Sequence, residues 1–408
     1  MSRLIPYPFQ EIIIQGSVDR MKKGVKPFLT VAATGSGKSL ITANIAERLD
    51  DPLLILQPNK EILLQNYAKI LNLGVTNASL YSASVLKKNI DHITYATIGS
   101  IKNYDLFRHF KYIIVDEAHL INPRSESSMY MKLFAELKPK AVNALTATPY
   151  RLISSYFEDE LGHPYVTGSV KMLNHIKPFI FNGGIPFKIE MKPLMDNGTL
   201  SPIKYYVNKP DLSCLRLKNT GLDFTEKSLA EDENLRESRL LKTAEYCVTN
   251  HKKVLTFMSS ISGCNKLKQD LAKKGIHAEI VTAYTPGKTR DNIVNSFKQG
   301  SLRYLINMGV FTVGFDVVDL DCVIWNRSTI SPGLYVQVVG RLARKDPNNP
   351  NKIGHFYDLA GTARKFGKAE NIRIVRKEND WKYYLITTMP DGSTRQLSDI
   401  PLYTYFLK

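Results

Sequence analysis

TGSGKS, residues 34–39, sets two glycines, a lysine and a hydroxyl side by side. Gly35 and Gly37 let the backbone curl with its N–H groups toward an anion, and Thr34 and Ser36 complete the turn. Lys38 supplies a point charge for the outer phosphates of a nucleotide, and the Ser39 hydroxyl is a ligand for Mg2+. The phosphate-loop pattern opens with a glycine where this chain has Ala32. YIIVDEAH (112–119) ends an apolar run on acids: Asp116 can hold Mg2+, and Glu117 can take a proton from an attacking water. LTATPYR (145–151) exposes Thr146 and Thr148 before Pro149. QVVGRLAR (337–344) places Gln337, Arg341 and Arg344 together, far from the loop whose phosphates two arginines could serve.

These groups need elements that hold them. Short runs rich in Val, Ile and Leu recur at 28–33, 53–57, 92–97, 112–117 and 142–147. They return at 254–258, 278–283, 303–308, 321–325 and 355–360, with helix-length segments between. Continuous apolar runs suit parallel strands covered on both faces, and alternation with helices makes each half an α/β layer. Two α/β domains are therefore expected, at 1–151 and 236–365. Residues 152–235 read as a connector with a small β element and a short helix bracketed by Pro193 and Pro202. Residues 366–408 read as a basic extension, with a hairpin through Pro390-Asp391-Gly392. In TGSGKSLITANIAERL a helix should begin near Lys38 and add its positive end to the phosphate site.

The chain has 408 residues, and 55 Lys and Arg against 38 Asp and Glu leave a net charge of +17. That excess points to a polyanion, with nucleic acid first. Cys214, Cys247, Cys264 and Cys322 form no C-x-x-C pair, so neither a zinc ribbon nor a disulfide framework is indicated and a reducing interior fits. The N-terminus does not read as a signal peptide, and no run approaches the roughly 18 apolar residues of a membrane span. The expected location is the cytoplasm of a bacterial or phage-infected cell, on the nucleoid when DNA is bound.

AATGSGKS, DEAH, LTATPYR and QVVGRLAR, in this order, resemble the motifs of superfamily 2 helicases and translocases. TVGFD (312–316), SPGLYVQVVGRLARK (331–345) and YDLAG (357–361) are most similar to RadD-type repair helicases, with phage UvsW-type branch-migration helicases a second near relation. The resemblance implies two tandem RecA-like parallel-sheet domains with ATP and Mg2+ in the cleft between them. It gives Gln10 the adenine contact, with Tyr7 or Phe9 near the ring, although the family's R-P-Y-Q reads YPFQ here. His119 and Thr146, with Thr148, become the coupling group; Gly314 and Asp316 lie near the ribose. Gln337, Arg341 and Arg344 are assigned to the γ-phosphate. QPNKEILLQ (57–65), with Pro58 and Gln65, and ATIGS (96–100), with Thr97, become nucleic-acid contacts, joined by Ser259 and Thr312. Such groups grip phosphates and leave base identity unread. The RadD-type cysteine-rich zinc segment is missing after the second domain.

The function expected is an ATP-dependent DNA helicase for fork remodelling or branch migration in replication, recombination or repair. It would work as a monomer on forked, branched or single-stranded DNA and alongside other replication or repair proteins. A double-stranded DNA translocase without strand separation, an RNA helicase and a non-catalytic nucleic-acid-binding scaffold are the alternatives.

Overall fold

FLTVA, LLILQ and YIIV have no polar alternation, and they become strands whose residues are all buried. The computed structural model describes residues 5–125, 127–159, 161–209, 211–310, 317–377 and 382–402. The chain divides into one unit of Met1–Tyr150 with Met172–Glu190 and another of Arg151–Lys171 with Met191–Lys408.

The first unit opens with α1 (Pro8–Lys22), whose first residue is a proline preset for a helix start. Next come β1 (Phe28–Ala32), α2 (Lys38–Glu47), β2 (Leu53–Gln57), α3 (Lys60–Asn72) and β3 (Ala78–Ser82). The short β4 (Lys87–Lys88), β5 (Ile93–Thr97), β6 (Tyr112–Val115), α4 (Met129–Leu137) and β7 (Ala141–Thr146) follow. The chain then forms a two-stranded sheet, β8 (Tyr150–Glu158) with β9 (Pro164–Met172), before β10 (Phe187–Ile189). The strand order is β10-β1-β7-β6-β2-β5-β3-β4. Every pairing is parallel except β3 with β4. Parallel strands put all their carboxyl ends on one edge, where ligands bind in such sheets.

The second unit continues with α5 (Met191–Asp196), β11 (Ile203–Val207), α6 (Glu226–Leu235), α7 (Glu237–Asn250) and β12 (Val254–Phe257). After these stand α8 (Ile261–Lys273), β13 (Ala278–Thr282), α9 (Gly287–Gln299), β14 (Tyr304–Met308), β15 (Cys322–Trp325), α10 (Pro332–Leu342), β16 (Gly354–Asp358) and α11 (Thr362–Phe366). Its sheet runs β11-β16-β15-β12-β14-β13, all parallel. Each unit is thus a RecA-like parallel α/β layer, as expected. β17 (Arg373–Arg376), β18 (Tyr383–Thr388) and β19 (Thr394–Gln396) make an antiparallel sheet, with the 390–392 turn between the last two. Among the described residues no helix is long and apolar enough to cross a membrane.

The expectation for 152–235 needs correction, because that segment is divided between the units. β10 adds to the outer side of β1, pairing Val31 with Lys188. Gly183 makes this close: a Cβ there would stand 2.5 Å from the Lys26 carbonyl oxygen. β11 adds to β16, and α6 buries Leu229, Asp232 and Glu233 in the second unit. The helix near Pro193 begins at Met191, so Pro193 sits in its first turn, where the missing N–H costs nothing. β3, β10 and β11 are strands with no strong apolar run: β10 has three residues and β11 alternates half-buried with exposed.

Candidate functional site

Sheet order decides which motifs meet. β1, β7 and β6 are neighbours, so the residues leaving their carboxyl ends share one stretch of the sheet edge. After β1 the chain turns through Gly35 (φ +87°) and Gly37 (φ +85°) into α2. The left-handed backbone at both suits glycine. A Cβ on Gly37 would meet the Gln10 Nε2 at 2.3 Å. α2 begins at Lys38, so its first N–H groups, which no helical carbonyl can reach, open toward the loop. Ser36 is buried, and its Oγ has no hydrogen-bond partner among the described residues. Thr34, Lys38 and Ser39 are half-buried and Gly35 is exposed.

Gln10, expected at adenine, packs against this loop. Its Nε2 donates to the Ser36 carbonyl at 2.7 Å and its Oε1 accepts from the Tyr7 N–H at 2.8 Å. It is buried, and both ends of its amide are engaged. Tyr7 and Phe9 stack with centroids 5.7 Å apart, and the Tyr7 side is exposed.

After β6 stand Asp116 and Glu117. Asp116 is 5% exposed; its Oδ1 accepts from the Glu117 N–H at 2.9 Å and its Oδ2 from Asn66 Nδ2 at 2.9 Å. Burial, followed by the Glu117 charge, pushes its carboxyl up to about 6 against the opposing pull of Lys38 and Asn66. Glu117 adopts a left-handed backbone (φ +53°), uncommon for a non-glycine and of the kind found at functional turns. That turn puts its Oε1 3.8 Å from Lys38 Nζ and its Oε2 3.3 Å from His119 Nδ1. His119 Nδ1 is also 3.1 Å from Thr146 Oγ1, which accepts from the Thr148 N–H at 3.1 Å. Lys38, Glu117, His119, Thr146 and Thr148 are therefore brought into one connected group.

Asn66 was missed in the sequence. It lies on α3 among the buried positions Ile62, Leu63 and Ile70, and one amide holds both Gln57 (3.1 Å) and Asp116. A polar residue on the apolar stripe of an amphipathic helix is the signal that marks it. Asn66→Ala is expected to move the acidic limb of the pH–turnover profile to higher pH. The amide favours the anion, so its loss raises the Asp116 pKa and shrinks the ionised fraction at any pH near it. An unshifted limb would separate Asn66 from the chemistry.

The nucleic-acid candidates of this unit follow β2 and β5, next along the same edge. Pro58 and Gln65 are half-buried, and Asn59 caps α3 by accepting from the Ile62 N–H at 3.0 Å. Thr97 is buried, its hydroxyl 2.9 Å from Ser82 Oγ and 2.7 Å from Ser100 Oγ.

In the second unit Ser331 caps α10 through the Leu334 N–H. Gln337 and Arg344 are half-buried, Arg341 is 4% exposed, and Arg344 lies just beyond the helix end. Ser259 is buried, and Glu233 accepts its N–H together with the Ser260 hydroxyl. Ser259 is thus recessed behind a carboxylate from the segment expected to be a connector. Arg236 pairs with Asp232 and donates to Asn326 Oδ1 and O, each at 2.9 Å, a buried network that sequence reading also missed. Thr312, Gly314 and Asp316 lie outside the described residues.

Two family descriptions match. Residues 3–151 match "Type III restriction enzyme, res subunit" and residues 237–346 match "Helicase conserved C-terminal domain". The chain is 26% identical over 384 residues to "Putative ATP-dependent helicase IRC3" of Saccharomyces cerevisiae, covering 87% of this chain and 51% of that protein. It is 26% identical over 310 residues to a "51.5 kDa protein" of a Lactococcus phage, covering 74% and 59%. The chain therefore spans between half and three-fifths of these relatives. Among solved structures, the "ATP-dependent Type ISP restriction-modification enzyme LlaBIII bound to DNA" superposes with a TM-score of 0.62 at 18% identity. That likeness in fold covers 87% of this chain and 28% of that one.

Proposed function

From the premise that both matched families mark this chain as a superfamily 2 helicase, we propose that it hydrolyses ATP to drive movement along DNA. The observation that carries this reading is the group formed by Lys38, Glu117, His119 and Thr146 at one sheet edge. In it a phosphate-loop lysine, an acid placed to take a proton and a histidine–threonine pair lie in mutual reach. Glu117 is the general base for water, Lys38 holds the outer phosphates, and His119 with Thr146 and Thr148 passes the state of the site onward. Ser39 and Asp116 would hold Mg2+, which supplies charge neutralisation to the phosphates. A carboxyl that burial raises to about 6 fits such a cation, whose charge would restore its ionised form. Arg344, with Arg341 and Gln337, stabilises charge on the transferred phosphoryl group. Gly314 and Asp316 serve the ribose.

DNA is the proposed track, gripped through phosphates by the segments at the carboxyl ends of β2 and β5 and by the +17 excess of charge. Pro58, Gln65, Thr97, Ser259 and Thr312 are the proposed contacts. Fork remodelling or branch migration of the RadD or UvsW kind, by a monomer in the cytoplasm, is the finer role. The restriction-enzyme family match favours a second reading, translocation on duplex DNA without strand separation. Turnover with forked, Holliday-type, duplex and single-stranded DNA and with RNA, beside unwinding and triplex displacement, tests both. DNA is expected to raise turnover severalfold, with a steep loss as salt rises, and Lys38→Ala to abolish it. Stimulation by RNA alone would sink the DNA reading, and triplex displacement without unwinding would select the second.

A further inference from the structure

Cys247, His251 and Cys322 come together in the second unit, their ligand atoms all within 4.8 Å of one another and all three residues buried. Cys247 lies near the end of α7 and His251 directly follows that helix, one turn later, where its N–H caps the Cys247 carbonyl at 2.9 Å. Cys322 is the first residue of β15 and is paired with Val254 on one side and His355 on the other. The cluster therefore joins a helix end to the starting edge of the sheet.

The histidine is oriented as a ligand. Its Nδ1 faces the Asp321 carboxylate at 3.7 Å, and Asp321 is fixed by the N–H groups of Lys252 and Lys253 at 3.0 and 2.9 Å. A carboxylate behind one ring nitrogen leaves the other, Nε2, to face inward, which is the outer-shell arrangement of metal-bound histidines. Nε2 is 3.1 Å from the Tyr357 hydroxyl, so a fourth oxygen donor stands at the same place. The His355 ring lies 4.5 Å from that of His251, and core side chains close the rest: Leu240, Ala244, Val254, Ile324 and Leu359.

We propose that Cys247, Cys322 and His251 Nε2 bind one zinc ion, with the fourth position on the Tyr357 side. Two sulfurs and an imidazole are the donor set that zinc prefers over Mg2+ or Ca2+. Binding releases the two thiol protons to solvent, and two thiolates cancel the charge of Zn2+. The site is then neutral, as an apolar core requires. The ion ties α7 to the strand starts and stabilises the folded unit by binding it in preference to the unfolded chain. This site is separate from the proposed nucleotide chemistry, and its test does not depend on turnover.

The full chain, produced with zinc in the medium and dialysed against metal-free buffer, is expected to carry about one zinc by elemental analysis. Cobalt(II) exchanged into the same chain is expected to show thiolate-to-cobalt charge transfer and the strong visible bands of a tetrahedral centre. Cys322→Ser and His251→Phe should each lose the metal and both spectral features. Wild-type chain with far less than stoichiometric zinc and a weak octahedral cobalt spectrum would overturn the proposal. Stoichiometric metal retained in both variants would overturn it as well. The wild-type measurements decide the matter even if a variant fails to fold.

Discussion

Glu117→Gln leaves nucleotide binding in place and slows ATP turnover by roughly 10²–10⁴-fold, the usual worth of a general base. Glutamine keeps the shape of the side chain and can still meet Lys38 and His119, which lie 3.8 and 3.3 Å from the two carboxylate oxygens. It cannot accept a proton. The left-handed turn at Glu117 holds the side chain in that place, so the loss should fall on kcat, with binding of a non-hydrolysable ATP analogue nearly unchanged. Turnover within a few-fold of wild type would remove Glu117 from its role. Loss of analogue binding would make it a structural partner of Lys38.

Arg344→Ala is the second large effect, an expected fall of roughly 10³-fold in turnover with binding of the analogue retained. Two arginines are candidates, and burial separates them. Arg341 lies at 4% exposure inside the buried face of α10, so its removal also disturbs the core. Arg344 is half-buried beyond the helix end, and its backbone is anchored where its carbonyl accepts from Ser201 Oγ at 3.3 Å. Truncating its side chain should leave the thermal transition nearly where it was. Arg344→Lys should recover little, because a lysine lacks the planar fork that spans two phosphate oxygens. The checks are steady-state turnover, analogue binding and thermal melting on one preparation. Unaltered kcat would take Arg344 out of the chemistry.

What could be read from the sequence was local. The phosphate loop, the acidic pair and the threonines are each set by neighbours in the chain, and the buried runs around them fix a parallel sheet whose edge collects them. Asn66 was lost because its partner, Asp116, belongs to another strand end, and only folding makes the two adjacent. The contacts of the Gln10 amide with Tyr7 and Ser36 likewise depend on where α1 packs. β10 and β11 escaped because an edge strand needs few apolar residues, being covered on fewer sides. The cysteines looked solitary for a related reason: Cys322 reaches Cys247 and His251 only through the pairing of β15 with β12.

The route of the chain between the units has a consequence for any attempt to take the protein apart. It leaves the first unit at Tyr150, enters the second, returns at Met172 for β10 and departs again after Glu190. No single scission can therefore part the two units without leaving a piece of one attached to the other. A fragment ending at residue 151 would lack β10 and leave the flank of β1 open to pairing with other chains. During synthesis that flank likewise waits for residues 187–189, so the first unit is finished only after part of its neighbour has emerged.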